Sequence, residues 1–167
     1  MEENKTKAVG MDVSGFAAIT DAVRDLLNSF PGRKEQIRFE ELGESSGVAF
    51  SADSGALILT ERRSITDHVS QTCQYPFFVI CRTASTRELQ KLNVLVFLEN
   101  LGKWLCRESI EIDGTAHKLK TYPKLTDNRT ITKITRSNVY GLAPNENGSQ
   151  DWMLPIVIDY TNEFDMW

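Results

Sequence analysis

Histidine, cysteine and paired carboxylates carry much of enzyme chemistry, and this chain spreads them thinly. Asp67-His68 is the one place where a base adjoins an acid that could orient it. Sequence neighbours on a loop rarely form such a pair, because the geometry needs groups that converge from separate elements. A solvated loop histidine is therefore expected at His68, and His117, between Ala116 and Lys118, is read in the same way. Cys73, Cys81 and Cys106 form no C-x-x-C and cannot all pair; Cys81 and Cys106 sit in apolar stretches, so buried, reduced thiols are expected. A catalytic thiol would need a base, and only the two histidines could supply one. Two distant histidines and scattered cysteines give no metal-ligand spacing. The phosphate loop, the dinucleotide-binding glycine pattern and the G-x-S-x-G elbow are absent from the sequence. Glu40, Glu41 and Glu44 cluster beside a turn, where a solvated charge run is the simpler reading than general acid–base catalysis. No catalytic, cofactor or metal site is expected, which points to a structural protein and not an enzyme.

Charge says more than any motif. Lys118, Lys120, Lys124, Arg129, Lys133 and Arg136 face one acid, Asp127, within their own stretch. Beyond them, Glu146, Asp151, Asp159, Glu163 and Asp165 meet no lysine or arginine, and residues 35–61 are also acidic. A basic block between acidic ones suits a solvated hairpin, or a head-to-tail subunit contact in which opposite patches meet. Contact with nucleic acid is disfavoured by the formal net charge of −4 and the pI of about 5.3.

The elements that would hold these groups follow from periodicity. The 167 residues suit one domain with a sizeable core, residues 1–11 being polar and flexible. Phe16, Ile19, Val23, Leu26, Leu27 and Phe30 recur at helical spacing, so a helix is expected over about 14–30, capped by Asp12 or Ser14 and stopped by Pro31-Gly32. Residues 37–42, 47–50 and 56–60 read as short strands, with turns at Gly43 to Ser46 and Asp53-Ser-Gly55, and 62–72 as a polar loop. Tyr75 to Thr83 is apolar on both faces and should lie centrally in a sheet. Ser85-Thr-Arg-Glu88 reads as a capping box opening a helix over about 86–107. That helix is apolar beyond a single stripe, so it is either deeply buried or shared with a neighbouring subunit, and Phe97 and Trp104 are its candidate contact residues. Strands are expected at 115–122 and 128–140, then a turn at Asn147-Gly148. The last strand alternates from Trp152 to Thr161, and Pro155 implies a missing ladder partner on one side. The order predicts an α+β fold: a mostly antiparallel sheet flanked by two main helices. No run is long and apolar enough for a membrane span, and the acidic N-terminus lacks the order of a signal peptide, so the expected place is a cytoplasm.

Four segments in order carry a resemblance: Tyr75-Pro-Phe-Phe-Val-Ile-Cys-Arg-Thr83, Lys91-Leu-Asn with Phe97-Leu-Glu-Asn-Leu-Gly-Lys-Trp104, Tyr122-Pro-Lys-Leu-Thr-Asp-Asn-Arg129, and Asp151-Trp with Tyr160-Thr-Asn. Over roughly residues 12–164 the chain resembles the tail-terminator, or "minor capsid", proteins of tailed phages and prophages of Gram-positive bacteria. The resemblance implies a virion protein that forms a ring of about six of its own subunits. Such a ring caps the head-proximal end of the tail tube, stops polymerisation, meets the tube and in contractile tails the sheath, and docks the head–tail connector. DNA would pass through its lumen unread, with no membrane and no cofactor involved. Expected subunit or tail contacts are Phe97, Trp104, Lys118, Lys120, Lys124, Arg129, Lys133 and Arg136. Two alternatives from other classes are a small-molecule-modifying enzyme and a DNA-contacting connector component. A chloramphenicol acetyltransferase needs its histidine in a His-His-x-x-x-Asp-Gly context, which neither His68 nor His117 has.

Overall fold

The structure is a computed structural model that describes residues 8–44, 46–84 and 87–166. In chain order the elements are β1 (Gly10–Met11), α1 (Val13–Asn28), β2 (Arg38–Phe39), β3 (Gly47–Ala52), β4 (Leu57–Arg63), β5 (His68–Thr83), α2 (Glu88–Leu105), β6 (Ile110–Ile112), β7 (Thr115–His117), β8 (Arg129–Arg136), β9 (Tyr140–Gly141) and β10 (Gln150–Asp165). The fold is α+β with a mostly antiparallel sheet, as expected; the one parallel pairing among the described residues joins β2 to β3. The two longest strands, β5 and β10, pair along their whole length and form the spine. On one side of the spine lie β3, β4, β1 and β2; on the other lie β8 and β9. β6 and β7 form a separate small hairpin.

Strand alternation decides which side of the sheet is core. On β5 the odd positions Tyr75, Phe77, Val79 and Cys81 are buried, and on β10 the even positions Leu154, Ile156, Ile158 and Tyr160. Register places these opposite one another, so they share one face. Both helices pack there. α1 contributes Ile19, Val23, Leu26 and Leu27; α2 contributes Leu98, Leu101, Trp104 and Leu105. Asp12 caps α1, its side chain accepting the Gly15 N–H at 3.1 Å.

The observed boundaries depart from the expected ones in instructive places. Residues 62–72 are not a loop: they finish β4, turn at 64–67 and begin β5. The core-face positions at this end of the sheet are filled by Gln71 and Asn162, which bond each other, and Gln71 also bonds Glu61. With an amide at Gln71 following buried Val69 on the inward face, the start of β5 shows broken apolar alternation, although its backbone ladder is complete. Gly10 and Met11, expected to be flexible, pair with Ile58 and Leu57. α2 opens at Glu88 after an extended Arg87; the expected cap Ser85 lies outside the described residues. The strand expected at 115–122 ends at His117, and that expected at 128–140 splits into β8 and β9. Pro155 falls in the gap between them, since β9 pairs with Trp152 and Met153 and β8 begins its pairing at Ile156. Asn147-Gly148 makes its turn, with Gly148 at φ +81°.

Candidate functional site

The basic tract does not form one surface. Lys118 and Lys120 are exposed on the irregular segment after β7. That segment is fastened to the end of α2 by Arg107, which donates to the Lys120 carbonyl at 2.7 Å, and by the Tyr122 hydroxyl, which donates to the Leu105 carbonyl at 2.8 Å. Lys124 pairs with Asp127 at 3.6 Å. Arg136 lies across Gly102, where a Cβ would stand 2.7 Å from its Cδ, and braces α2 through Glu99 at 3.1 Å and the segment just after it through Glu108 at 3.6 Å. Arg129 is buried, 9% exposed. An expected interface of six cations therefore loses Arg129 to the interior, and Arg136 is half-buried and already paired within the chain.

Arg129 belongs to a buried latch that ties the start of α1 to β8 and β10. Its Nε and Nη2 each donate to the Asp12 carboxylate at 2.7 Å, one to each oxygen. The Tyr160 hydroxyl donates to Asp12 at 2.8 Å. Burial pushes the Asp12 carboxyl up, but these donors, the guanidinium charge and the Gly15 N–H outweigh it and hold the carboxyl below its usual value. Burial and the neighbouring Asp12 push the Tyr160 hydroxyl well above its own. Gly15 is required here, since a Cβ would stand 2.4 Å from Arg129 Nε and from Asp12 Oδ2. The latch is a device of the fold: the Asp12–Arg129 charges are spent on each other.

Lys133 sits on β8, an edge strand, opposite Asp159. The register slips there so that Thr132 is unmatched, and its hydroxyl donates to the Asp159 carbonyl at 3.1 Å. The bulge lets both Ile131 and Ile134 face the core. A bulge and a lysine on an edge strand are the devices that blunt edge-to-edge pairing. Lys133→Val is expected to leave the unfolding midpoint almost unchanged and to raise the aggregation rate, read by light scattering on heating.

Of the two aromatic candidates on α2, Trp104 is core. It is 5% exposed and meets Phe30 in a tilted ring contact at 5.4 Å between centroids. Phe97 is half-buried and meets Phe30 edge-on at 5.9 Å. Trp104 thus cannot serve as a surface contact. The exposed apolar residues of this helix are others: Leu89 at 69%, Leu92 at 52% and Val96 at 58%. At 3.6 residues per turn these three lie on one side of α2, opposite Leu98, Leu101 and Leu105. The helix is apolar on two opposed faces, and only one packs on the sheet.

The second uncovered surface is the outward face of the sheet. There β5 presents Pro76, Phe78 and Ile80, and β10 presents Met153, Pro155 and Val157, all half-buried by one another with no element packed over them among the described residues. Antiparallel sheets with one free face usually alternate apolar-in and polar-out. Polar residues appear only towards the two ends of the spine. Arg82 and Asp151 make a bidentate pair at one end, at 2.7 and 2.9 Å. Asp159, Glu163 and Asp165 lie towards the other. The apolar reading of 75–83 on both faces is met, but the second face is left open.

The groups with chemical potential are placed apart. His68 contacts not Asp67 but Asp165, Nδ1 to Oδ1 at 2.8 Å, across the last register pair of β5 and β10. Asp67 instead takes Arg63. Periodicity could not find this partner, because it depends on the register of two sixteen-residue strands. The Ser64 hydroxyl meets the backbone N–H of His68, not its ring. His117 is half-buried on β7. Cys73 and Cys81 are buried free thiols, each pushed up to about 11 by burial, and Cys106 is half-buried. No group of three His, Cys, Asp or Glu side chains among the described residues could hold a metal ion. No helix of the described residues is long and apolar enough to cross a membrane. Compared with known proteins, the chain matches no protein-family model and no curated protein.

Proposed function

We propose that this chain is a structural subunit that works as an assembly, a tail terminator whose ring closes the head-proximal end of a phage or prophage tail. The observation that carries the reading is the pair of uncovered apolar surfaces on opposite sides of one chain, the outer ridge of α2 and the outward sheet face. Exposed contiguous apolar surface of this kind marks interaction sites. Two such surfaces on opposed sides suit a heterologous contact, which repeats head to tail and closes when the rotation allows. The resemblance carried by the four ordered segments supports this choice of assembly, and what it implies is a ring of about six, the tail tube and sheath as neighbours below, the connector above, and DNA in the lumen.

The role is architectural: the ring ends tube growth by offering the next tube subunit no matching surface. Deleting the gene in a lysogen and imaging the induced lysate tests this. The expected result is tails of irregular length without heads, restored by the gene supplied in trans, with an epitope on the chain found at the head-proximal end. Tails of normal length joined to filled heads would overturn it.

A further inference from the structure

We infer that Asn147 is a site of spontaneous deamidation that the folded turn holds shut, with Ser149 as its guard, and that the reaction frees the loop before β10 from Glu44.

Asn-Gly occurs once in the sequence, at Asn147-Gly148. Asparagine is among the thermally labile side chains. Its route to aspartate is attack by the next backbone nitrogen on the side-chain amide carbon. Here the Gly148 nitrogen gives up its proton to a base and bonds to Asn147 Cγ. The Cγ–Nδ2 bond breaks, Nδ2 takes a proton, and ammonia leaves. Water then opens the five-membered succinimide at either carbonyl, which yields aspartate or isoaspartate. Water is consumed and ammonia released, with nothing oxidised or reduced. Glycine hinders that attack least, since it has no Cβ. Nothing lies within 4 Å of where a Gly148 Cβ would stand, and Asn147 is exposed, so water and base reach the site.

The folded turn blocks the step at three atoms. The nucleophile is occupied: the Gly148 N–H donates to the Asn145 carbonyl at 3.0 Å. Asn147 Oδ1 is held by two donors, the Ser149 N–H at 3.0 Å and the Ser149 hydroxyl at 2.6 Å. The leaving nitrogen is held as well, Nδ2 donating to the Glu44 carbonyl at 2.9 Å. Ring closure must break these bonds together, because Cγ cannot swing onto the Gly148 nitrogen while both of its own substituents are tied. Ser149 is fixed in turn. It is 1% exposed, its hydroxyl accepts from Asn145 Nδ2 at 2.9 Å, and its carbonyl accepts from the Asn145 N–H at 2.7 Å. The guard belongs to the interior, whereas the bond it guards lies on the surface.

The contact with Glu44 gives the reaction a consequence. It ties the loop between β9 and β10 to the segment before β3, across 103 positions of sequence. Either product puts a carboxylate where Nδ2 stood, so the Glu44 carbonyl loses its donor and faces a negative charge. Gly43, one residue earlier, keeps its own tie to Arg82 Nη1 at 2.9 Å. The change is therefore local: the 142–149 loop comes off Glu44 and the sheet stays.

To test this, the full chain is held at mildly alkaline pH, folded and in urea, and peptide mapping measures aspartate and isoaspartate at position 147. Conversion should run in urea and be about 30-fold slower in the folded chain, as expected where several hydrogen bonds must open together. Ser149→Ala should speed the folded chain about 5-fold, the worth of one such bond, and leave the rate in urea unchanged. Ser149 is buried, so a second measurement on the parent goes with it: the Gly148 amide should exchange its hydrogen far more slowly than the same amide in urea. Asn147→Asp should hasten exchange across 142–149 while the unfolding midpoint stays near the parent's. Equal conversion rates folded and in urea, a Ser149→Ala chain at the parent's rate, or an unprotected Gly148 amide would overturn the guard. No conversion at position 147 in urea would remove the site itself, and unchanged exchange in Asn147→Asp would overturn the release from Glu44.

Discussion

Asp12→Asn is expected to remove about 3–5 kcal/mol of folding stability, the cost of leaving one partner of a buried ion pair without the other. Asp12 is 5% exposed and Arg129 9%, so the guanidinium left behind has little water to turn to. Its other contacts are weak: the Ser14 hydroxyl at 3.2 Å and the Thr126 hydroxyl at 3.4 Å. Asparagine keeps an oxygen for the Gly15 N–H, so loss of the helix cap is held small and the charge effect is isolated. Small proteins have roughly 5–15 kcal/mol in all, so the variant should unfold at a much lower denaturant concentration. Arg129→Met in the Asp12→Asn background should recover part of the loss, because an apolar side chain of similar length needs no counter-charge. A loss under about 1 kcal/mol in urea titration would show that Arg129 finds solvent or another acceptor, and that the latch is not a buried pair.

The same pair gives the protein its acid limb. Asp12 and Asp151 are both held below the carboxylate value of 3.8, Asp12 because Arg129, Tyr160 and the Gly15 N–H outweigh the opposing effect of burial, Asp151 chiefly by its hydrogen bonds from Arg82. The unfolded chain therefore takes up these protons first as pH falls. Stability from both groups is complete above the unfolded value, declines below it, and is gone once pH has passed through the folded values. Asp12→Asn should flatten this decline, and that change of slope separates loss of the pair from a general loss of packing.

How much of this was legible in the sequence depends on which force wrote each element. α1 is legible because one apolar stripe packs on one sheet, and its cap Asp12 is a residue type that caps. β10 is legible from alternation. The start of β5 was not, because Gln71 and Asn162 take core positions by bonding each other. The basic tract misled for a related reason. Composition counts Arg129 and Arg136 as surface charge, whereas their partners Asp12 and Glu99 stand far off in sequence and become neighbours only through the sheet. The excess apolarity of α2 was legible; the division of its residues between core and surface was not. An eighteen-residue helix with apolar residues on opposed sides gives no preferred face to a periodicity reading. The position of the sheet, set by β5 and β10, decides which side is inside.

That division makes the sharpest contrast on one helix. Trp104→Ala should cost about 3–5 kcal/mol, the usual range for emptying a buried aromatic site. Phe30 loses its tilted ring partner at 5.4 Å, and Phe97, which meets Phe30 edge-on from another side, cannot fill the space without leaving that contact at 5.9 Å. Leu92→Ala, twelve positions earlier on the outer side, exposes little that was covered, since Leu92 is already 52% exposed. Its effect on stability should stay within about 0.5 kcal/mol, as for surface positions with no special contacts. Self-association should respond in the opposite order per kcal/mol of folding lost: Leu92→Ala weakens it at full stability, whereas Trp104→Ala acts only by unfolding the chain. Thermal unfolding and sedimentation velocity on the same two variants read both quantities. If Leu92→Ala destabilised the monomer as Trp104→Ala does, the ridge would be part of the core and the outer side of α2 would have no surface to offer a neighbour.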